Sequence, residues 1–153
     1  MAKWDRRIDN GRFQMLREFN DEAVLDRETG LVWERQPANR TFAWSNARLF
    51  CAQKGVGGRG GWRLPAFYEL SSLVDPSVQS GPQLPSGHPF LQVQTASYWT
   101  VTQFAGEPGF ALAVSFQFVP ATAGQVGVTD ANIAGAERFA WAVRAGSPGL
   151  SSY

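Results

Sequence analysis

The sequence is poor in cysteine and histidine and has no long hydrophobic run, and each scarcity excludes a class of protein. Cys51 is the single cysteine, so no intramolecular disulfide can form. Its helical, partly apolar context predicts a buried side chain; catalytic pairing with His88, the single histidine, is the disfavoured alternative because His88 lies in a Gly-His-Pro loop. No second histidine or cysteine lies near His88, which argues against a zinc site. No apolar run approaches the ~20 residues of a membrane span.

Lysine is nearly absent, and arginine carries almost all of the positive charge. The 14 basic and 13 acidic residues give a net charge of +1. Because this balance creates no basic field, we expect no nucleic acid partner.

A secretion signal is also missing from the start of the sequence. The first residues, Met-Ala-Lys-Trp-Asp-Arg-Arg, lack the apolar segment of a signal peptide. We therefore expect synthesis in the cytosol, with incorporation into a virion or export by an unconventional route as the ways out.

Aromatic residues, glycine and proline are abundant. The 153 residues, of which 44% are hydrophobic, include 6 tryptophans and 11 phenylalanines and predict one domain with a substantial core. The 16 glycines and 9 prolines predict short elements joined by turns and loops. We expect a polar N-terminal arm over 1–11, which carries Trp4, one domain over 12–146 and a flexible tail over 147–153.

The stretch from Gly61 to Asp75 organises the rest of the chain. After Gly-Trp-Arg-Leu-Pro, Pro65 fits the first turn of a short helix. Asp75-Pro76 is expected to end that helix, because the residue before a proline avoids the α region. Apolar side chains at the spacing of an amphipathic helix are Phe67, Leu70, Leu73 and Val74.

Arg63 and Glu69, within this stretch, have two interpretations. We favour a buried salt bridge that ties the loop to the helix, since charge pairs with perturbed pKa values are often structural, and a catalytic pair is the alternative. We place the pair in a structural hub together with large aromatic side chains that must be buried. The hub consists of Trp33, Trp62, Arg63, Pro65, Glu69, Trp99, Trp141 and Arg144.

A β-hairpin followed by a helix is predicted for the first half. Apolar residues on either side of the Arg27–Gly30 turn predict the hairpin, with glycine where φ is positive. An apolar face over about three turns predicts the helix, which Thr41 or Ser45 can cap and which Gly55 ends after about Lys54. The predicted strands are 12–19, 23–26 and 31–34.

Loops and three strands are predicted for the second half. Prolines make residues 76–97 a long surface excursion, pinned to the core by Phe90, Leu91 and Val93. Small polar residues over 120–136 predict either a long loop or a loosely paired hairpin. The predicted strands are 97–102, 110–118 (Leu112, Val114, Phe116 and Phe118 on one side) and 138–144 (Phe139, Trp141 and Val143 on one face). The result is an α+β fold in which two helices flank a mainly antiparallel sheet with a loop-rich half.

Several motifs occur in order along most of the chain. They include Val24-Leu-Asp-Arg-Glu-Thr-Gly-Leu-Val-Trp-Glu34, Gly60-Gly-Trp-Arg-Leu-Pro65, Gly87-His-Pro-Phe90, Tyr98-Trp99-Thr100 and Trp141-Ala-Val-Arg144. Together they resemble the C-terminal domain of bacterial collagen-like adhesins, a domain of unknown function, over about residues 12–146. That family resembles the C-type lectin-like fold. The resemblance implies termini in one sheet, two helices, and ligand contacts from loops and strands of the second half.

One departure from that family concerns Cys51. The family has a cysteine in the final strand, at the position of Ala142, which can pair with the one at Cys51. Its replacement implies a reducing compartment or a particle assembled in the cytosol. Calcium-dependent sugar binding is disfavoured, because Glu107-Pro108-Gly109 is only faintly like a lectin motif and clustered oxygen ligands are missing. We expect no cofactor, and the paired cysteines of the related formylglycine-generating enzymes are absent.

The favoured function is a non-catalytic ligand-binding or adhesion module, displayed on a surface, fibre or phage particle and binding a glycan or a protein. The alternative is a structural or decoration subunit of a particle, assembled through the N-terminal arm. We expect a homo-oligomer, with a trimer as the first guess. The ligand-binding residues are predicted on the loops after the strands that begin near Tyr98 and Phe110. They are Gln103, Phe104, Glu107, Gln125, Thr129, Asp130 and Asn132.

An enzyme is the third and disfavoured hypothesis. Candidate acid–base groups exist, but they fall at hairpin and helix positions that explain them structurally. They are Asp26, Glu34, Glu69 and Asp75.

Overall fold

Two sheets and two helices form the part of the chain that a computed structural model describes, residues 11–146. The four-stranded sheet has the order β1-β2-β3-β9, and the five-stranded sheet has the order β4-β8-β5-β6-β7. The strands are β1 (Phe13–Met15), β2 (Ala23–Asp26), β3 (Leu31–Glu34), β4 (Thr41–Ala43), β5 (Ser97–Gln103), β6 (Phe110–Ser115), β7 (Gly127–Asn132), β8 (Glu137–Phe139) and β9 (Val143–Ala145). The helices are α1 (Trp44–Ala52) and α2 (Phe67–Ser71). The α+β class is confirmed, with two sheets in place of the single sheet predicted.

Antiparallel pairing dominates both sheets, and β5 with β8 is the parallel pair among the described strands. The first and last strands, β1 and β9, belong to the same sheet, as the resemblance implied, and lie at its two edges. The predicted arm, with Trp4, and the predicted tail lie outside the described residues, except for Gly11.

Apolar side chains pack into two clusters on opposite faces of the sheets. Successive residues of a strand point to opposite faces. Trp99 accordingly joins the cluster beneath α1, which contains Trp44 and Cys51, whereas Tyr98 joins the cluster beneath α2, which contains Leu70. Both faces are therefore covered near the centre of the fold.

The β2–β3 hairpin is confirmed with the predicted boundaries. Leu25 lies opposite Val32, and Gly30 adopts φ 77°, the positive value expected at the turn. The backbone N–H of Gly30 donates to the carbonyl of Asp26 at 2.8 Å. The strand predicted over 12–19 is shorter than expected, because residues 17–19 form a 3-10 turn.

The helix boundaries differ from the predicted ones. Thr41 pairs with Phe139 in a strand and its hydroxyl bonds Glu137, so the predicted caps Thr41 and Ser45 are wrong and α1 begins at Trp44. It ends at Ala52, before Gly55. The reason is that residues 41–43 pair with β8 as a strand and so cannot form the first turn of the helix.

The second helix is also shorter than its apolar pattern suggested. It ends at Ser71, because the Ser72 hydroxyl bonds the carbonyl of Glu69 at 2.6 Å and the chain tightens into turns. Leu73 and Val74 are buried although they follow the helix. Pro65 precedes the first turn, and Asp75-Pro76 is not the stop.

The second half contains more strand than was predicted. β7 pairs with β6 over six residues, from Ser115–Gly127 to Phe110–Asn132, so neither a loop nor a loose hairpin describes it. β6 ends at Ser115, so the predicted end at residue 118 is wrong. Val114 and Phe116 contact the same cluster, as the predicted one-sided pattern requires, and Ala111 and Ala113 are buried on the opposite face.

The predicted last strand is divided between the two sheets. Residues 140–142 carry the chain from β8 in one sheet to β9 in the other. Phe139, Trp141 and Val143 nevertheless contact the same cluster, as predicted.

The predicted excursion over 76–97 is confirmed as a stretch of turns and bends that reaches β5. Phe90 is buried and Val93 packs against the same cluster. Leu91 is 40% exposed, so its predicted role in pinning the loop is wrong.

Candidate functional site

The Arg63–Glu69 pair is a structural clamp. The backbone of Arg63 exchanges two hydrogen bonds of 2.9 Å with Val143. Its guanidinium donates to both carboxylate oxygens of Glu69, at 2.7 and 2.8 Å, and Glu69 also accepts the N–H of Ala66. The bond from Arg63 lowers the pKa of the Glu69 carboxyl. The favoured salt bridge is confirmed, although the Arg63 side chain is 44% exposed.

The hub tryptophans are divided between the two core clusters, and Pro65 and Arg144 have hydrogen bonds of their own. Pro65 accepts the N–H of Val101 at 2.8 Å, and Arg144 donates to the carbonyl of Gly60 at 2.6 Å. All four hub tryptophans are buried. Three of their indoles donate to carbonyls: Trp62 to Arg59, Trp99 to Phe42, and Trp141 to Glu34. Within the described residues, the indole N–H of Trp33 is buried without a partner.

The predicted ligand residues do not all lie together. Phe104 and Glu107 form the tight connection between β5 and β6, and Asn132 lies opposite Phe110 at the same end of the sheet. Gln125 precedes the other end, where Gly127 lies opposite Ser115. The structure therefore groups part of the predicted set and separates Gln125 from it.

Strand register also divides the predicted set between two faces. Directly paired residues point to the same face of a sheet. Thr129 lies opposite Ala113 and Gln103 opposite Ala111, on the face that packs against α1. Asp130 and Asn132 are in a strand rather than a loop, and they point to the other face. We call Phe104, Glu107, Asp130 and Asn132 the distal end.

The distal end presents hydrogen-bonding groups that the described part of the chain does not use. The side chains of Glu107 and Asp130 are exposed and accept no hydrogen bond from residues 11–146. Asn132 uses its side-chain oxygen to accept the N–H of Ala134 at 2.8 Å, which leaves its amide nitrogen free. Phe104, toward the same end of the sheet, is 39% exposed. Carboxylates, an amide and an aromatic ring toward one end of a sheet suit a polar ligand with an apolar face.

A concave site elsewhere in the fold was not found from the sequence. A cleft of about 600 Å³ lies between the 20–22 turn, the end of β3 and the segment after α1. At its inner wall the Lys54 ammonium contacts the Glu34 carboxylate at 2.5 Å. Burial raises the pKa of Glu34, while Lys54 opposes that shift. The scarcity of lysine was the available signal, since Lys3 and Lys54 are the only lysines in the sequence.

Comparison with protein-family models places the chain. The model described as Lcl C-terminal domain matches residues 22–144. The chain belongs to this family. No curated protein and no solved structure matches it.

The candidate catalytic groups of this Lcl C-terminal domain are all engaged in structural contacts. Asp26 accepts two hydrogen bonds from Arg12, at 3.0 and 2.9 Å. Glu34 and Glu69 have the partners given above. Asp75 accepts the N–H and the hydroxyl of Ser77, which lower its carboxyl pKa.

The Lcl domain keeps its cysteine and its histidine in separate surroundings. Burial raises the pKa of the Cys51 thiol to about 12, which keeps it a neutral thiol at ordinary pH. His88 accepts the N–H of Phe90 on Nδ1 at 3.1 Å and stacks on its ring. The predictions of a buried cysteine and a hydrogen-bonded loop histidine are confirmed.

The described residues lack two further features. Residues 11–146 contain no group of three or more histidine, cysteine or carboxylate side chains that could hold a metal ion. Neither helix in this range has the length and apolar character needed to cross a membrane.

Proposed function

We propose that this Lcl C-terminal domain is a non-catalytic ligand-binding and adhesion module. The observation that carries the proposal is the distal end, where exposed carboxylates, an amide and a phenyl ring lie toward one end of the sheet and residues 11–146 leave hydrogen-bonding groups unused. Binding sites commonly lie on connections and strand ends held by a rigid scaffold. The engagement of Asp26, Glu34, Glu69 and Asp75 in structural pairs supports a role without catalysis.

The proposed fold is C-type lectin-like, and the proposed ligand is a glycan or a protein presented outside the domain. Display on a surface, fibre or particle, in a homo-oligomer such as a trimer, is part of the same proposal. It is supported by the resemblance to collagen-like adhesins and by the position of the distal end at one extremity of the five-stranded sheet. No cofactor is required for contacts made by these side chains.

The test is binding of the purified protein to a glycan and glycosaminoglycan array, with calcium and with chelator, and with oligomer mass measured in the same sample. We expect specific binding that chelator does not change. Binding lost with chelator would instead assign a metal to Glu107 and Asp130. A stable oligomer that binds nothing on the array would move the ligand class to protein.

Alanine variants place the site. Phe104→Ala, Asp130→Ala and Asn132→Ala combined should abolish ligand capture while the thermal unfolding midpoint changes little, because these side chains are exposed. The matched control combines Gln125→Ala and Thr129→Ala, which lie at the other end or on the other face. Capture that survives the triple variant, or is lost in the control, contradicts a ligand site at the distal end.

A further inference from the structure

The outward surface of α1 carries an exposed leucine at its centre. Leu49 is 56% exposed, and Val101 of β5, 38% exposed, lies across a groove of about 450 Å³ that Leu49 helps to line. A second groove of about 380 Å³ lies on the other side of Leu49, beside Arg40. An exposed apolar ridge between two grooves is typical of a surface that binds a protein segment. It is not typical of a helix face that contacts only water.

Arginines surround this ridge. The guanidinium of Arg40 stacks on the ring of Phe42 at 4.4 Å, and that of Arg48 stacks on Trp44 at 4.8 Å. Stacking fixes the orientation of each guanidinium while its N–H groups stay available. We call Arg40, Arg48, Leu49 and Val101 the α1 face.

No carboxylate within residues 11–146 forms an ion pair with Arg40 or Arg48. The sequence explains why, since no Asp or Glu occurs between Glu34 and Glu69. Arg63, at the edge of the groove, is already neutralised by Glu69, and the nearby Glu137 accepts the hydroxyl of Thr41. The basic residues in the interval are Arg35, Arg40, Arg48, Lys54, Arg59 and Arg63.

We propose that the α1 face is a docking site for an acidic segment of a partner protein, in which an apolar side chain packs beside Leu49 and carboxylates pair with Arg40 and Arg48. Charge complementarity selects the carboxylates, since the two guanidinium groups have no acidic partner among residues 11–146. The apolar ridge favours a protein over a polyanionic polysaccharide, which would leave Leu49 and Val101 without contacts. This site is independent of the distal end.

The experiment starts from a random 12-residue peptide library displayed on phage, with the full chain as bait. Enriched peptides are then synthesised and their affinity is measured for the wild type and for variants. We expect the enriched peptides to combine Asp or Glu with a large apolar residue. Leu49→Ser should weaken binding about tenfold or more, because the apolar contact is lost. The double variant Arg40→Glu and Arg48→Glu should abolish it.

Leu91→Ser is the matched control, since Leu91 is also an exposed leucine but lines the Glu34–Lys54 cleft and neither of the two grooves beside Leu49. It should leave peptide affinity unchanged, and circular dichroism should show all variants folded. Three outcomes overturn the proposal. The first is that no acidic peptide is enriched. The second is that only heparin binds and that Leu49→Ser leaves heparin affinity unchanged. The third is self-association of the wild type that Leu49→Ser removes, which would assign the face to a second copy of the chain.

Discussion

The distal end and the α1 face belong to one scaffold but carry opposite charge. Between Arg63 and Arg138 the sequence has no lysine or arginine, so the distal end offers carboxylates and an amide. Between Glu34 and Glu69 it has no carboxylate, so the α1 face offers guanidinium groups. A net charge of +1 conceals this separation, because the two regions cancel in the sum. Charge distribution, and not net charge, is therefore what describes the surfaces of this domain.

The two surfaces also differ in how their groups are held. The arginines of the α1 face lie on aromatic rings, whereas Glu107 and Asp130 at the distal end have no protein partner in residues 11–146. The guanidinium groups of the α1 face are thus held by ring contacts, whereas contacts within these residues do not fix the two carboxylates of the distal end. The Arg63–Glu69 clamp is connected to both surfaces. Arg63 lines the groove beside Leu49, and the carbonyl of Pro65 accepts the N–H of Val101 in the strand that leads to Phe104.

Removing the clamp should have the largest effect, since both surfaces depend on it. Glu69→Ala deletes a buried carboxylate with three hydrogen bonds, while Arg63 can turn toward water. We expect a loss of about 2 kcal/mol in the free energy of unfolding and a fall of about 4–8 °C in the unfolding midpoint. Calorimetry measures both. Glu107→Ala, an exposed carboxylate without partners, should change stability by less than about 0.5 kcal/mol, and equal losses would contradict the clamp.

The pH dependence of stability should also show how much the Arg63–Glu69 clamp contributes. The pKa of Glu69 is lowered in the folded state, so its contribution is fully present above the unfolded value of about 4.3 and is lost as pH falls through the folded pKa. The stability difference between wild type and Glu69→Gln should shrink as the pH is lowered from 6 toward about 3. Denaturant titrations at several pH values measure it, and a constant difference would contradict this linkage.

A smaller effect is expected from salt, which should change ligand affinity at one surface more than at the other. Raising the salt concentration from about 0.05 to 0.5 M should lower the affinity of the α1 face for an acidic peptide about tenfold, because exposed charge pairs are screened. The affinity of the distal end for a neutral glycan should change by less than about twofold, since hydrogen bonds are short-ranged. Titration calorimetry of each ligand measures both. Equal salt dependence would mean that the ligands share one surface.

The smallest effect is expected at Thr129, which is exposed on the sheet face opposite to Asp130. Thr129→Ala should alter stability by less than about 0.5 kcal/mol and leave both affinities within about twofold. Thermal unfolding and the same titrations measure this. A larger loss at either surface would show that β7 couples the two.

Local patterns predicted part of the fold and tertiary pairing decided the rest. Positive φ at Gly30 and the motif around Arg63 are local requirements, so the hairpin and the clamp could be predicted. The strand over residues 41–43 depends on pairing with β8, nearly a hundred positions later, which no local pattern contains. Paired partners also explain why small polar residues became β7.

The candidate site shows the same division. Phe104 and Glu107 are exposed because they lie in a turn rich in Gly and Pro, and such a turn can be recognised in the sequence. Thr129 and Asp130 lie on opposite faces because of the strand register, which the sequence does not show. The Glu34–Lys54 cleft joins the end of β3 to the segment after α1, and therefore required the fold.

Backbone amide chemical-shift mapping tests most directly whether this domain has two separate binding surfaces. The isotope-labelled protein is titrated separately with an array-selected glycan and with an acidic peptide. We expect two sets of perturbed residues that do not overlap. The glycan should shift 104–107 and 130–132, and the peptide should shift 45–53 and Val101. Perturbation of the same residues by both ligands, or of neither set, would contradict two oppositely charged binding surfaces on one scaffold.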